Sequence, residues 1–334
     1  MKKFILIILA VMVMTGSLSA CSNNTESNTG EKKLKIVTTI FPEYDWVKTI
    51  LGEKADEVEF SLLLDNGVDI HSYQPSINDI LKISSCDLFI YVGGESDKWV
   101  DDALAQATNK NMAVINLLDV LGDKVKSEEI VEGMEHEHDE EHEHNEDEEH
   151  DHEHEIELDE HVWLSLNNTK IICDKITECL KKLDSSNADI YQSNADTYME
   201  KLSSLDTQYK TVVNESAVKT LLFGDRFPFR YMTDDYNLKY YAAFTGCSAE
   251  TEASFETVIF LSGKIDELNL KSILTIESSD KRIAETIKNN TNSKDQKILT
   301  LNSMQGITSK DIRNGITYLS IMTDNLNVLK EALK

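Results

Sequence analysis

The chain has 334 residues, of which 40% are hydrophobic and 28% charged, and its formal net charge is −27. This acidic balance argues against a nucleic-acid partner, which would require a basic surface. Residues 132–155 hold 14 Asp or Glu residues and no Lys or Arg, so this tract contributes −14 to the net charge. The rest of the chain is therefore only moderately acidic.

The N-terminus has the pattern of an export signal. The sequence begins MKK, continues with an apolar run over residues 4–14, and has small residues before Cys21. The run is shorter than the about 20 residues that a membrane span needs. The tetrapeptide LSAC, residues 18–21, resembles the bacterial lipobox, which implies a signal peptide over 1–20 and lipidation of Cys21. The alternative is a secreted protein with a chance cysteine. Polar residues 21–33 are expected to form a flexible tether.

From residue 34 onward, short apolar strand patterns alternate with helical patterns. The first series predicts strands at 34–39, 58–64, 87–92 and 113–117, with helices at 42–51, 76–83 and 97–107. The second series predicts strands at 220–224, 239–244, 272–276 and 297–301, with helices near 226–236, 254–269, 280–290 and 309–333. Strands separated by helices indicate parallel sheets. The predicted fold class is α/β, with two lobes at 34–186 and 217–334.

A long helix is predicted between the lobes, over residues 187–216. This stretch has no Gly and no Pro, and its apolar residues recur every three or four positions. Its length would be about 45 Å at 1.5 Å per residue. Such a stiff connection predicts that the lobes do not swing far apart.

Four cysteines lie in the body of the chain, namely Cys86, Cys173, Cys179 and Cys247. Their spacing contains no C-x-x-C, so neither a zinc ribbon nor a thioredoxin-like site is predicted. The sequence does not choose a disulfide pair, although Cys173 and Cys179 would lie on opposed faces of one helix and are not expected to pair.

The acidic tract is also rich in histidine. Seven of the nine histidines lie in it: His136, His138, His142, His144, His150, His152 and His154. One interpretation is a solvated spacer. However, a spacer has no use for imidazole, whereas neutral imidazole suits zinc, with carboxylates as additional donors. We therefore predict a disordered loop that collects metal at several labile sites.

The other two histidines are His71 and His161. His71 follows a predicted strand and precedes a helix that begins at Ser76, and such loops bind ligands in parallel α/β sheets. His161 lies among apolar residues directly after the tract, which could pass a metal to it. The alternative for each is a structural histidine. Their positions favour a metal site.

Four segments carry a resemblance to a known family. They are HSYQPS (71–76), DEHVWLSL (159–166), AAFTGCSAETEAS (242–254) and the stretch 301–326. Together they resemble the zinc-binding lipoproteins of bacterial ABC transporters, the cluster A-I solute-binding proteins. The resemblance runs from about residue 34 to the C-terminus. It implies two α/β lobes on a rigid backbone helix, with one metal in the cleft.

The resemblance implies two of the metal ligands directly. His71 matches the first metal-binding histidine of the family and His161 the second. The usual third histidine falls in GDRFPFRY, residues 224–231, where Arg226 occupies the ligand position and cannot coordinate metal. The candidate replacement is Asp225, which could instead pair with Arg226 or Arg230.

The fourth ligand of the family is an acidic residue of the C-terminal lobe. The segment LNSMQ, residues 301–305, offers no carboxylate, so Glu277, which follows a predicted strand, is the candidate. Two histidines with one or two carboxylates would hold zinc. The same set would also hold manganese, but hard Mn²⁺ gains little from an imidazole tract.

The predicted function is a lipid-anchored, extracytoplasmic receptor that captures Zn²⁺ and delivers it to an ABC permease and its ATPase. We expect a monomer that is not an enzyme, since neither H-E-x-x-H, G-x-S-x-G nor a P-loop occurs. The alternatives are a manganese receptor of the same family and a surface adhesin or metal-storage lipoprotein.

Overall fold

The computed structural model describes residues 33–134, 157–248 and 252–334. Within these residues, eight strands form two parallel four-stranded sheets. This arrangement confirms the predicted α/β class. The predicted signal peptide, Cys21 and the seven tract histidines lie outside the described residues. No helix of the described part is both long enough and apolar enough to cross a bilayer.

The N-terminal sheet has the order β2-β1-β3-β4. Its strands are β1 (Lys35–Thr38), β2 (Glu59–Leu62), β3 (Leu88–Tyr91) and β4 (Ala113–Asn116). The helices of this lobe are α1 (Phe41–Leu51), α2 (Ile77–Ser85), α3 (Trp99–Ala105), α4 (Leu117–Leu121) and α5 (Leu166–Leu183). β3 is buried along its whole length, as expected for a central parallel strand covered on both faces.

The C-terminal sheet has the order β6-β5-β7-β8. Its strands are β5 (Thr220–Phe227), β6 (Lys239–Thr245), β7 (Ser272–Ile276) and β8 (Lys297–Leu301). Its helices are α7 (Arg230–Asp235), α8 (Phe255–Leu268), α9 (Arg282–Asn290), α10 (Ser309–Arg313) and α11 (Tyr318–Ala332). In both sheets the two central strands are followed by crossovers to opposite sides. Ligands bind at such switch points, beyond the carboxyl ends of the strands.

The linking helix, α6, spans Ala188–Glu215 and has 28 residues, which gives a length of about 42 Å at 1.5 Å per residue. One face is buried, and it contacts both lobes. The Asn194 side-chain amide donates to the carbonyl of Ile50 at 3.0 Å. The Tyr209 hydroxyl donates to the carbonyl of Met322 at 2.6 Å. The helix is therefore fixed to a helix of each lobe, as the sequence predicted for a stiff strut.

Three local predictions were wrong. The strand predicted at 220–224 continues to Phe227, because β5 stays paired with β6 beyond a register shift between Phe223 and Arg226. The helix predicted from 226 therefore begins only at Arg230. The helix predicted at 309–333 is divided into α10 and α11 by Gly315, whose φ of 89° lies in the left-handed region that ends helices.

Contacts between the lobes close one side of the cleft. The Trp163 indole N–H donates to the carbonyl of Ser303 at 2.8 Å, and both residues are buried. The Tyr318 amide donates to the Asp45 carboxylate at 2.9 Å. These buried bonds link segments more than 100 residues apart, and they fix the position of His161, two residues before Trp163.

Candidate metal site

The two histidines outside the tract meet in the cleft. The Nε2 atoms of His71 and His161 lie 3.2 Å apart. Each histidine lies at a short 3₁₀ turn: His71 within Ile70–Ser72, and His161 as the residue that caps Val162–Leu164. His161 is fully buried, and the His71 side chain is only 13% exposed. The sequence thus identified both members of the pair.

Neighbouring side chains fix the orientation of both rings. Asp159 Oδ1 accepts from the His161 amide at 2.9 Å and lies 3.0 Å from His161 Nδ1. Because a carboxylate only accepts, Nδ1 of His161 carries a proton, and Nε2 is the nitrogen that presents a lone pair when the ring is neutral. Nδ1 of His71 lies 2.8 Å from Ser96 Oγ. A partner on Nδ1, with Nε2 directed towards the metal position, is the usual arrangement of metal-binding histidines.

Acidic residues surround the pair. The Ser96 amide donates to Glu160 Oε1 at 2.8 Å, so Glu160 fixes the loop that carries Ser96. Glu160 Oε2 is buried without a hydrogen-bond partner and lies 3.6 Å from His71 Nδ1. Asp69 Oδ1 accepts from the His71 amide at 3.0 Å. The resulting negative potential favours a cation between the rings.

The protonation of the pair suits metal binding. Burial, together with the neighbouring His161, lowers the pKa of His71 to about 3, so this imidazole is neutral at pH 7. Burial lowers the pKa of His161, but the hydrogen bond and charge of Asp159 outweigh burial and hold that pKa above its ordinary value. A metal at the two Nε2 atoms therefore competes with a proton at His161 but not at His71.

A cysteine completes the group. Among the described residues, the ligand atoms of His71, His161 and Cys247 all lie within 4.8 Å of one another, as do those of Glu128, Asp159 and His161. Cys247 was not predicted as a ligand, and neither Glu128 nor Asp159 was singled out. One feature of the sequence could have drawn attention to Cys247, because it lies in a segment that carries the family resemblance.

The two carboxylates predicted from sequence accept hydrogen bonds from the backbone, and their role as metal ligands stays a prediction. Neither Asp225 nor Glu277 belongs to the groups around the histidines. Asp225 accepts from the amides of Arg226 at 2.8 Å and Ile276 at 3.3 Å. Its oxygens therefore join β5 to β7 rather than facing the histidines.

Glu277 has a similar structural role. One oxygen accepts from the Ser303 amide at 2.7 Å, and the other from the Ser303 hydroxyl and the amides of Gln305 and Gly306, at 2.9 to 3.1 Å. Four donors thus fix the loop after β8 around this carboxylate. The sequence could not show that backbone amides would donate to the carboxylates of Asp225 and Glu277.

Arg226 occupies the position of the usual third histidine and forms an ion pair across the cleft. Its Nη2 donates to Asp69 Oδ2 at 2.9 Å, and its Nη1 donates to the carbonyl of Ser248 at 3.3 Å. Asp69 in turn accepts from the His71 amide. Arg226 therefore supports the His71 loop and the Ser248 loop instead of coordinating metal.

We expect Asp159→Asn to weaken metal binding by the pair about 10- to 100-fold, as loss of an orienting partner usually does. The amide is isosteric but can present a donor to Nδ1, which disfavours the tautomer with a free Nε2 lone pair. Zinc titration against a competing chelator measures the change. Asp119→Asn, an exposed substitution on α4, is the matched control. Equal affinity in wild type and Asp159→Asn would contradict the orienting role.

The two lobes, the long connecting helix and a histidine pair at the carboxyl ends of the strands define a two-lobed metal solute-binding protein. The sequence matches the family described as "Zinc-uptake complex component A periplasmic" over residues 36–332. The chain therefore belongs to this family, as the resemblance implied.

Named relatives agree with this assignment. The chain is 30% identical over 319 residues to the high-affinity zinc uptake system protein ZnuA of Bacillus subtilis, which covers 95% of this chain and 93% of that protein. It is 29% identical over 304 residues to the zinc-binding protein AdcA of Streptococcus pyogenes, but spans only 56% of the length of AdcA.

Solved structures share the fold. The Zn(II)-bound ZnuA-like domain of AdcA from Streptococcus pneumoniae superposes with a TM-score of 0.68 at 26% identity, covering 90% of this chain and 99% of that one. The metal-dependent lipoprotein YcdH of Bacillus subtilis gives a TM-score of 0.70 at 26% identity, covering 90% and 99%.

Proposed function

We propose that this protein captures Zn²⁺ outside the cell, through His71 and His161, and delivers it unchanged to an ABC permease and its ATPase. The separation of the two Nε2 atoms, 3.2 Å, carries the proposal. Two nitrogens bound to tetrahedral zinc, each about 2.0–2.1 Å from the metal, are about 3.3 Å apart. The pair thus already has the spacing of two zinc ligands.

The donor chemistry favours zinc over manganese. Neutral imidazole suits zinc, whereas Mn²⁺ prefers oxygen ligands. The two carboxylates predicted from sequence, Asp225 and Glu277, accept from backbone amides. The zinc-binding names of the relatives and the family description support zinc as cargo and an uptake complex as partner.

Metal uptake tests this function directly. Deletion of the gene is expected to reduce zinc accumulation by cells in zinc-poor medium, and the wild-type gene is expected to restore it. Complementation with His71→Ala is expected to fail. Normal zinc uptake in the deletion strain, or reduced manganese uptake alone, would overturn the proposal. Normal uptake with a loss of surface adhesion would favour the adhesin alternative.

We propose that acyl chains on Cys21 hold the protein at the outer face of the membrane. The Cys21→Ala variant is expected to move from the membrane fraction to the soluble fraction, because stable anchoring requires two or more acyl chains. Immunoblots of fractions washed in high salt measure the distribution. Cys179→Ala is the matched control and should remain bound. A Cys21→Ala variant that stays with the membrane would rule out the lipid anchor.

We propose that the histidine-rich tract is an auxiliary zinc collector. The best variant replaces its seven histidines with asparagine, because this keeps its length and acidic charge. We expect it to lose several weak zinc sites, to keep the tight site, and to take up scarce zinc more slowly. Native mass spectrometry gives the stoichiometry. An unchanged number of bound ions would support the spacer interpretation instead.

The ends of the tract guide any deletion. Met134 is only 5% exposed, whereas the sequence-based bounds, 132–155, would remove it. The flanking chains run antiparallel, with a bridge between Ser127 and Leu158 and a bond from the Glu128 amide to the Glu157 carbonyl at 2.8 Å. Replacing 135–155 with a short Gly-Ser linker therefore preserves the packed ends.

A further inference from the structure

We propose that Cys247 is the third protein ligand of the cargo metal, so that the binding site is His₂Cys. This inference rests on the proposed function and specifies its donor set. The three ligand atoms lie within 4.8 Å of one another. All four cysteines in the described residues are free thiols, so the Cys247 sulfur is not part of a disulfide.

The backbone brings Cys247 to the histidine pair. The residue follows the carboxyl end of β6, and Gly246 before it packs directly on the His161 ring. A Cβ atom at Gly246 would lie 2.9 Å from Cε1 of that ring, so only glycine allows this approach without displacement. The Cys247 amide donates to Glu128 Oε1 at 3.1 Å, which fixes the loop from the other side.

The required movement is small. With Zn–N about 2.0 Å and Zn–S about 2.3 Å, nitrogen and sulfur ligands of tetrahedral zinc are about 3.5 Å apart. Because Cys247 Sγ lies within 4.8 Å of the ligand atoms of both histidines, closure of at most about 1.3 Å suffices. A rotation of the Cys247 side chain covers such a distance, while the two nitrogens can remain where they are.

Cys247 would add a soft thiolate donor to the two imidazoles. Arg226 has no lone pair to offer, and Asp225 and Glu277 are engaged elsewhere. Two imidazoles alone leave zinc short of its usual four ligands. When the Zn–S bond forms, the S–H bond breaks and its proton passes to the adjacent Glu128 carboxylate or to water. A soft thiolate selects zinc over manganese.

Cobalt(II) substitution of the full chain tests the proposal. A Co²⁺-loaded protein with a thiolate ligand shows a sulfur-to-metal charge-transfer band in the near ultraviolet, which imidazole and carboxylate do not produce. Because residues 132–155 contain no cysteine, metal held by the tract cannot contribute to this band. We expect the band in wild type and in Cys179→Ala, and its loss in Cys247→Ala and Cys247→Ser.

Zinc affinity provides the second measurement. Cys247→Ala is expected to weaken the tight site at least tenfold, or about 1.4 kcal/mol. X-ray absorption of stoichiometric zinc should show one sulfur at about 2.3 Å in wild type only. Tight binding without a thiolate band would overturn the proposal but leave zinc capture intact, with Glu128 and Asp159 as the remaining donors. Failure of the wild type to bind zinc tightly would instead contradict the proposed function itself.

Discussion

Replacing His71 with alanine is expected to weaken the tight zinc site at least tenfold, about 1.4 kcal/mol or more. His161→Ala should weaken it by at least as much, because His161 is the ring that Asp159 orients and that is fully buried. Each substitution removes one of two nitrogens that are already spaced for zinc. His71→Ala does not change the charge of the protein at neutral pH, because burial lowers the pKa of His71 to about 3.

The measurement must distinguish zinc bound between His71 and His161 from zinc bound by the histidine-rich tract. We expect a chelator competition titration to show one tight site above several weak ones, and only the tight site should respond to His71→Ala. His152→Ala is the matched control, since it removes an imidazole from the tract. Because a cavity at the buried position could destabilise the fold, His161→Gln and thermal unfolding accompany His161→Ala. Unchanged tight binding in both alanine variants would place the site elsewhere.

Replacing Glu43 with glutamine is expected to stabilise the metal-free protein at pH 7.5 and to leave it nearly unchanged at pH 4.5. Glu43 is fully buried near the start of α1, where Oε2 accepts from the Thr39 and Ile40 amides at 2.8 and 3.2 Å. Oε1 has no partner. Burial, with Asp97 nearby, raises the pKa of Glu43 to about 8.

Proton binding by Glu43 decides whether the free energy of unfolding rises or falls with pH. Between pH 4.5 and about 8 the folded protein keeps a proton on Glu43 that the unfolded chain loses. The free energy of unfolding therefore falls as pH rises through this window, by up to about 1.4 kcal/mol per pH unit for one proton. Glutamine keeps the acceptor for the two amides but does not titrate. The free energy of unfolding of Glu43→Gln should therefore depend less steeply on pH than that of the wild type.

Urea unfolding between pH 4.5 and 8, with chelator present, measures this slope. It should not vanish, because burial also raises the pKa of Asp45 to about 6 and that of Asp97 to about 7. Glu53→Gln, an exposed substitution, is the control. An identical slope in wild type and Glu43→Gln would show that Glu43 is ionised in the folded protein.

The fold was predictable because its signals are local. Short apolar strands alternate with helical patterns, and the helix at 188–215 lacks Gly and Pro, so periodicity alone indicates two lobes and a strut. The extension of β5 to Phe227 was not predictable in this way. It depends on pairing with β6, which is decided by contacts between strands rather than by the composition of GDRF.

The candidate site was also predictable only where its signals are local. His71 and His161 follow from motif and position, since each lies on a loop beyond a strand or before a turn. The loop at 303–306 donates its amides to the Glu277 carboxylate, and the position of Glu277 in the sequence could not show this contact. The position of Cys247 beside the histidines could not be predicted, because it depends on the close approach of Gly246 to a ring 85 positions earlier in the chain.

The central claim is that one zinc ion binds between His71 and His161. Crystals of the zinc-loaded protein, with anomalous diffraction measured on both sides of the zinc absorption edge, test it most directly. We predict one strong anomalous peak about 2.0–2.1 Å from Nε2 of both histidines. A strong peak at other residues, with no anomalous density between these two rings, would contradict the claim.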